Sequence, residues 1–338
     1  MGKIIEYEKL YPRDRDVQRI KTYLSSVSES VVTIYSFWKK EVDLLHKSNR
    51  SGGALVYELS LTAINKQTDL NIPFEQVDYT FLRNLEASFS NDGLGVNSIG
   101  MHMRSLRAIF NKAIKSKIIT YEHYPFSSFK IKRQATTPRP ITYEELGKYF
   151  NLQIDTKSWL YDSWLMGKLM FMLIGINFKD MILLNESSIK DGRINYVRSK
   201  TKTVYTIRML QDVIEILDYF KGRDKHTLLG KLTKEDLDNK RMLPKIIKQK
   251  NKNFNAHLLK LGNMIGCKEK LTSYVFRYSF AGIAKQLGYS KDMIAEALGH
   301  QYGSKVTGIY LEAYDKKLID EMVHYVHLTV TMPKITPA

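Results

Sequence analysis

Cysteine is almost absent. Cys267 stands alone among 338 residues, so no intramolecular disulfide can form, and no Cys/His spacing matches a zinc site. A reducing compartment is expected. Long apolar runs are missing too: the most hydrophobic stretch, Leu169 to Ile176, lies between Lys168 and Lys179. It falls far short of the ~18 residues that a membrane span requires. The opening Met1-Gly2-Lys3-Ile4-Ile5-Glu6 reaches an acidic residue before any apolar segment, and Glu6 breaks the myristoylation pattern. Neither secretion nor lipidation is expected. The sequence has no glycine-rich phosphate loop, paired metal ligands or nucleophile elbow, so it calls for neither a metal nor a cofactor. Acidic residues are the minority, 35 against 52 Lys and Arg, giving a formal charge of +17. A surplus of this size favours a polyanionic partner, because each cation that neutralises a phosphate releases a condensed counterion. Nucleic acid is the leading candidate.

What is present is enough apolar material for two cores, with 43% hydrophobic and 11% aromatic residues. Apolar residues recur at helical spacing through Val31, Ile34, Tyr35, Trp38, Val42 and Leu45, and a second run passes through Leu55, Leu59 and Ala63. Asp78 can cap a third helix with Phe81, Leu82, Leu85 and Phe89 on one face. A fourth, from about Asn97 to Lys117, carries Met103, Leu106, Phe110, Ala113 and Ile114 on one side and Arg104, Arg107, Asn111 and Lys115 on another. Three prolines between Tyr124 and Pro140 interrupt this pattern and read as an interdomain linker containing Lys130, Lys132 and Arg133. Thr142 with Glu145 makes a capping box, so a second domain opens near residue 140.

In that second domain, helices are predicted over about Trp159–Gly175, Lys179–Leu184, Leu210–Phe220, Lys245–Ile265, Ser273–Leu287 and Ser290–Leu298. Between them, Arg193–Val197 alternates, Ser199–Thr203 turns and Val204–Ile207 returns, which predicts a β-hairpin. The basic run Lys245 to Lys252 reads as a solvated helix face. The fold class is therefore mainly α with a small β-sheet.

Three segments near the carboxyl end stand out: Thr272-Ser273-Tyr274-Val275-Phe276-Arg277-Tyr278-Ser279-Phe280, then Leu298-Gly299-His300, then Thr307-Gly308-Ile309-Tyr310-Leu311. Taken singly these residues are unremarkable, since Tyr310 is one of 21 tyrosines and a lone arginine is usually a surface ion-pair partner. Their order and spacing resemble the tyrosine recombinase (phage integrase) family, with its His/Tyr-Xaa-Xaa-Arg box, Leu-Gly-His box and nucleophilic tyrosine about ten positions on. The likeness extends upstream through the Lys200-Thr201 hairpin and Tyr124-Pro125-Phe126. The nearest subgroup is that of integrases from bacterial mobile elements.

The resemblance implies an N-terminal segment over 1–27 and a helical SAM-like core DNA-binding domain over 28–122. A linker over 123–141, a mixed α/β catalytic domain over 142–326 and a tail over 327–338 follow. It implies strand cutting and rejoining through a 3′-phosphotyrosine at Tyr310. A phenol of pKa about 10 is only ~0.1% ionised at neutral pH, a deficit of roughly 4 kcal/mol that nearby cations must offset. Arg277 fits that task, because its planar fork matches two phosphate oxygens. His300 and Tyr274 are implied phosphate or proton partners, and Lys200 is the implied acid for the leaving 5′-oxygen, with Lys202 as fallback. Arg104, Arg107, Lys115, Lys130, Lys132 and Arg133 are the implied DNA contacts.

Double-stranded DNA, a homotetramer on paired sites, an accessory DNA-bending protein and a nucleoid-associated cytoplasmic location complete the implied setting. The stripe Leu318, Ile319, Met322, Val323 and Val326 either folds back onto its own core or, as the resemblance implies, docks on a neighbouring protomer. One departure weakens the match: where the family places another arginine, this chain has Ile174 and Asn177. Lys168 and Lys179 are the candidate substitutes, and Asp180 matches the acidic residue that orients the family's arginines. The missing arginine keeps a second reading open, a non-catalytic DNA-binding relative that occupies or regulates recombination sites. A relaxing topoisomerase on the same chemistry is a third.

The charge balance sets a first test. Duplex affinity should fall with salt, log against log, by about 0.9 for each phosphate neutralised; salt-independent binding would contradict a phosphate-dominated interface.

Overall fold

The computed structural model describes residues 32–299 and 314–332, together with 16, 17, 19 and 20. The chain divides into two compact units, Met1–Ala135 and Thr136–Ala338.

The first unit is helical. Helix α1 (Ile34–Lys47) starts where the Thr33 hydroxyl accepts from the Ser36 amide at 3.1 Å, and it buries Ile34, Phe37, Trp38, Val42 and Leu45. Helix α2 (Ser51–Gln67) follows, then α3 (Tyr79–Asn91), whose Asp78 carboxylate accepts from the Phe81 amide at 2.7 Å. Helix α4 (Val96–Lys115) crosses them and buries Ile99, Met103, Leu106, Ile109, Phe110 and Ala113. Phe74 joins the layers, edge-on to Phe37 at 5.7 Å and to Phe110 at 5.0 Å.

The packed face of α2 differs from the one expected through Leu55, Leu59 and Ala63. Helix α2 turns Ala54, Leu61 and Ile64 inward and leaves Leu59 38% exposed. The physical reason is a small polar contact with α4, where Ser60 donates to Ser105 at 3.0 Å beside buried His102. Small side chains let α2 and α4 approach on a line that hydrophobic spacing alone does not mark. The expected domain end at 122 also moves. Phe126 and Phe129 are buried in the first unit's core, so the linker expected over 123–141 starts several residues later.

The second unit opens as expected. Thr142 and Glu145 make a reciprocal capping box at the start of α5 (Tyr143–Phe150). Helix α6 (Tyr161–Met172) buries residues on all sides, including Trp164, Leu165, Leu169, Met170 and Phe171. Helix α7 (Phe178–Ile182) leads to a three-stranded antiparallel sheet in the order β1 (Ile189–Lys190), β2 (Arg193–Val197), β3 (Val204–Arg208). The hairpin matches the reading, with Tyr196 opposite Tyr205 and Ile194 opposite Ile207. Strand β1 is two residues long and offers no alternation to read.

Helices α8 (Gln211–Phe220), α9 (Lys234–Asp238), α10 (Leu243–Met264), α11 (Val275–Gln286) and α12 (Lys291–Ala297) come next. α8, α10 and α11 all pack on α6, which is therefore the central helix. The basic positions Lys245, Lys248 and Lys252 of α10 are exposed.

The last described helix, α13 (Lys316–Thr331), corrects one expectation and decides another. It runs through the predicted tail boundary at 327, since His327 and Val330 are buried. Of the two readings of its apolar stripe, packing on its own core holds for Met322, Val323 and Val326, which with Val330 are at most 3% exposed and pack on α5 and α11 of the same chain, whereas Leu318 is 46% exposed. Arg193 forks onto both Asp320 oxygens at 2.8 and 2.7 Å, and His327 meets Asp212 at 3.2 Å, fixing the helix in place. Only the opposite side, with Leu318 and Tyr325, faces outward.

A carboxylate in that stripe tests the arrangement. Val326→Asp should lower the free energy of unfolding in urea by at least about 3 kcal/mol, whereas Tyr325→Ser, at an exposed position, should change it by less than about 0.5 kcal/mol. An unchanged monomer stability in Val326→Asp would mean that the helix belongs to a neighbour.

Candidate phosphate-binding site and basic cleft

Four segments of the second unit converge on Arg277. This residue lies in the first turn of α11 and is only 3% exposed. Its guanidinium donates to the Gly175 carbonyl at 3.1 Å and to the Leu298 carbonyl. Leu298 also accepts from the Tyr205 hydroxyl at 2.5 Å, so one carbonyl ties the end of α12 to both β3 and α11.

Two glycines make this closeness feasible. Gly175 has φ +64°, and a Cβ there would overlap the Arg277 backbone. Gly299 has φ +59°, and a Cβ would strike the Tyr205 hydroxyl. The Leu-Gly-His box is thus partly a packing requirement of its glycine.

The hairpin turn is fixed to the same centre. Asp180, buried on α7, accepts from the Ser199 amide at 3.1 Å. The turn closes through Arg198 N–H to the Thr203 carbonyl at 2.8 Å and Lys202 N–H to the Arg198 carbonyl at 2.9 Å. Lys200 stands exposed at its tip. Tyr196 and Tyr205 stack at 4.8 Å with ring planes 9° apart beneath it. Burial raises the Tyr196 phenol well above its ordinary pKa, so it stays a neutral platform.

Tyr274, immediately before α11, is 44% exposed and edge-on to Tyr278 at 4.9 Å. His300 and Tyr310 lie outside the described residues. The candidate substitutes for the missing arginine occupy different settings. Lys179 is exposed on α7. Lys168 on α6 holds its ammonium 3.9 Å from the Trp164 ring centre and 5.5 Å from that of Phe150, and burial lowers its pKa to about 8. Its partners are aromatic faces. Ile174 is 2% exposed with φ +57°, while Asn177 is half-buried just before α7.

In the first unit, Arg104 and Arg107 of α4 line a cleft of about 340 Å³ with Lys130 and Arg133. The Gln134 amide donates to the Asn97 side chain at 3.1 Å and its carbonyl accepts from it at 2.8 Å, clipping this basic segment to α4. Lys132 instead reaches Glu86 at 3.0 Å, and Lys115 is exposed. Sequence spacing alone does not bring α4 and the segment after Ser127 together; the buried Phe129 between them is the signal that could have done so.

The family model of the phage integrase SAM-like domain matches residues 33–132. The sequence matches no curated protein. Among solved structures, a lambda integrase (75–356) dimer bound to a COC′ core site is 15% identical, with a TM-score of 0.59 over 84% of this chain and 100% of that chain. A lambda integrase tetramer bound to a Holliday junction is 16% identical, with a TM-score of 0.57 over 92% and 86%. A variant of the Tn1549 transposon integrase in complex with transposon right end DNA is 16% identical, with a TM-score of 0.51 over 87% and 99%.

Residues 33–132 are a phage integrase SAM-like domain, and the chain has the integrase fold. The SAM-like domain contains α1 to α4 and ends within the basic segment, so the cleft residues Arg104, Arg107 and Lys130 belong to it. No helix among the described residues is long and apolar enough to cross a membrane.

The surroundings of the absent arginine separate its two candidate positions. Ile174→Arg forces a charge into a buried, left-handed site and should cost about 3 kcal/mol or more in thermal or urea unfolding. Asn177→Arg, half-buried at a helix start, should unfold near wild type; the reverse order would contradict the backbone course around Gly175.

Proposed function

We propose that this chain is a site-specific DNA recombinase of the tyrosine type, an integrase of a mobile element. The observation that carries this reading is the buried Arg277, whose guanidinium is held by two backbone carbonyls. Carbonyl contacts fix the orientation of the guanidinium, whose planar fork suits two phosphate oxygens. The Lys200 turn is tied to Asp180, which gives a second cation within the same group of elements. The integrases that share this fold are bound to DNA, one of them as a tetramer on a Holliday junction, and that supports duplex DNA as partner and a tetramer on paired sites as the working assembly.

In this reading the Tyr310 oxygen attacks the scissile phosphorus, forming a 3′-phosphotyrosine as the bond to the 5′-oxygen breaks. Arg277 binds the non-bridging oxygens, whose charge grows at that moment. His300 and Tyr274 hydrogen-bond the phosphate, and Lys200 donates the proton that the leaving oxygen takes up. The ester conserves the energy of the cut bond, so the reverse attack by a 5′-hydroxyl reseals a strand without any cofactor. Arg104, Arg107, Lys130 and Arg133 position the duplex through phosphates, and they do not read bases. The protein would accordingly work in the cytoplasm, on the nucleoid. With no other cation in place of the one absent at Ile174 and Asn177, cleavage would be slow, because one donor to the developing charge is lost. That substitution also favours the second reading, a DNA-binding relative that does not cut.

Nicked duplexes carrying the ends of the element that encodes this protein separate the two. The recombinase leaves a covalent protein–DNA band that disappears in Tyr310→Phe while duplex binding is kept. Duplex binding with no band in wild type would select the non-catalytic relative, and a band surviving in Tyr310→Phe would exclude this nucleophile.

A further inference from the structure

We infer that Arg198 is a second phosphate-binding guanidinium of this site, supplying the cation that Ile174 and Asn177 do not. The inference rests on the recombinase reading above. Arg198 directly follows β2 and keeps its two-residue period, so it falls on the inward face with Ile194 and Tyr196, while Val197 between them is 56% exposed. Across the ladder, Tyr196 stacks on Tyr205, and Tyr205 shares the Leu298 carbonyl with Arg277. Arg198 thus stands two residues along the strand from the Arg277 clasp. Asp180, Arg277 and Arg198 all act electrostatically on the Tyr196 phenol, so the three belong to one neighbourhood.

The side chain is built for an anion that is not part of the protein. Arg198 is 6% exposed, and its Nε–H is buried without a hydrogen-bond partner. No carboxylate pairs with its guanidinium among the described residues, and Asp180 commits one oxygen to the Ser199 amide. A buried guanidinium with an unsatisfied donor is costly, and a structural arginine at this position would carry a counterion. A phosphodiester brings the missing acceptors. With Arg277 on α11 and Arg198 at the hairpin, two forks from different elements can bracket both non-bridging oxygens as the nucleophile bonds to phosphorus and the 5′-oxygen leaves with its proton. Lys200, two residues further on, places the acid on the leaving side of the same turn. Sequence reading overlooked Arg198 because the hairpin drew attention to its tip; an arginine in the inward register of a strand was the available signal.

The test compares wild type, Arg198→Ala, Arg198→Lys and Arg277→Ala, with Lys240→Ala as an exposed control, all as full-length protein. Two quantities are measured: the rate of covalent adduct formation on nicked duplexes carrying the element ends, and the affinity for inorganic phosphate by ³¹P line broadening at constant ionic strength. Arg198→Ala should form adduct about 10²–10³-fold more slowly, keep its duplex affinity, and lose phosphate affinity as Arg277→Ala does. Arg198→Lys should recover phosphate affinity in part but stay slow, because a point charge lacks the fork. Lys240→Ala should move neither quantity. If Arg198→Ala melts early, Arg198→Lys carries the comparison, and full recovery of both quantities with the fold would overturn the proposal in favour of a structural cation. Wild-type rate and phosphate affinity in a folded Arg198→Ala would overturn it outright. If wild type forms no adduct, but phosphate affinity falls in Arg198→Ala and Arg277→Ala alone, the recombinase reading fails while the second guanidinium stands.

Discussion

The Leu298 carbonyl is the point on which the second unit turns. It accepts from the Tyr205 hydroxyl and from the Arg277 guanidinium at once, so a strand, the first turn of α11 and the end of α12 meet at a single oxygen. Both donors are buried, and either one left unpaired would cost the full desolvation of its polar group. The two glycines flanking the clasp follow from it. Gly175 lets the chain after α6 pass the Arg277 backbone, and Gly299 lets the chain after α12 pass the Tyr205 ring. The price of the arrangement is left-handed backbone at Ile174 as well, and that strain sits where a phosphate site would draw on it.

Electrostatics then distinguishes this centre from an ordinary buried ion pair. Several other cations meet carboxylates: Arg193 forks onto Asp320, Arg223 and Lys231 share Asp162, and Lys112 meets Glu41 at 2.5 Å. Arg277 is bound by carbonyls, and Arg198 has a buried N–H with no acceptor. The first unit repeats the contrast, since Lys132 is paired with Glu86 whereas Arg104, Arg107, Lys130 and Arg133 line one cleft.

Much of this was legible in the sequence, and the failures have physical causes. Capping residues and 3.6-residue spacing located α1, α3, α4 and α5, and alternation located the hairpin to within a residue. The inward face of α2 was misjudged because Ser60 and Ser105 meet there, a contact that hydrophobicity does not register. The linker was drawn too early because Phe126 and Phe129 sit among prolines yet fill the first core. The apolar stripe of α13 was visible, but amphipathicity says only that a face is covered, not by which chain; Arg193 and Asp212, remote in sequence, decide that. At the site, the Arg277 and Leu298-Gly299 boxes were readable as motifs, and the two-residue period of β2 marked Arg198 as inward, while the carbonyl clasp arises from tertiary contacts between residues 93 and 102 positions apart.

A crystal structure of the full chain on a nicked duplex carrying the element ends would test the central claim most directly, that Arg277 is positioned by backbone carbonyls so that its charge can hold a phosphate. The expected result is a backbone phosphate within hydrogen-bond distance of the Arg277 guanidinium, with the Gly175 and Leu298 contacts retained. A duplex seated elsewhere, with Arg277 still bonded to protein groups alone, would contradict it.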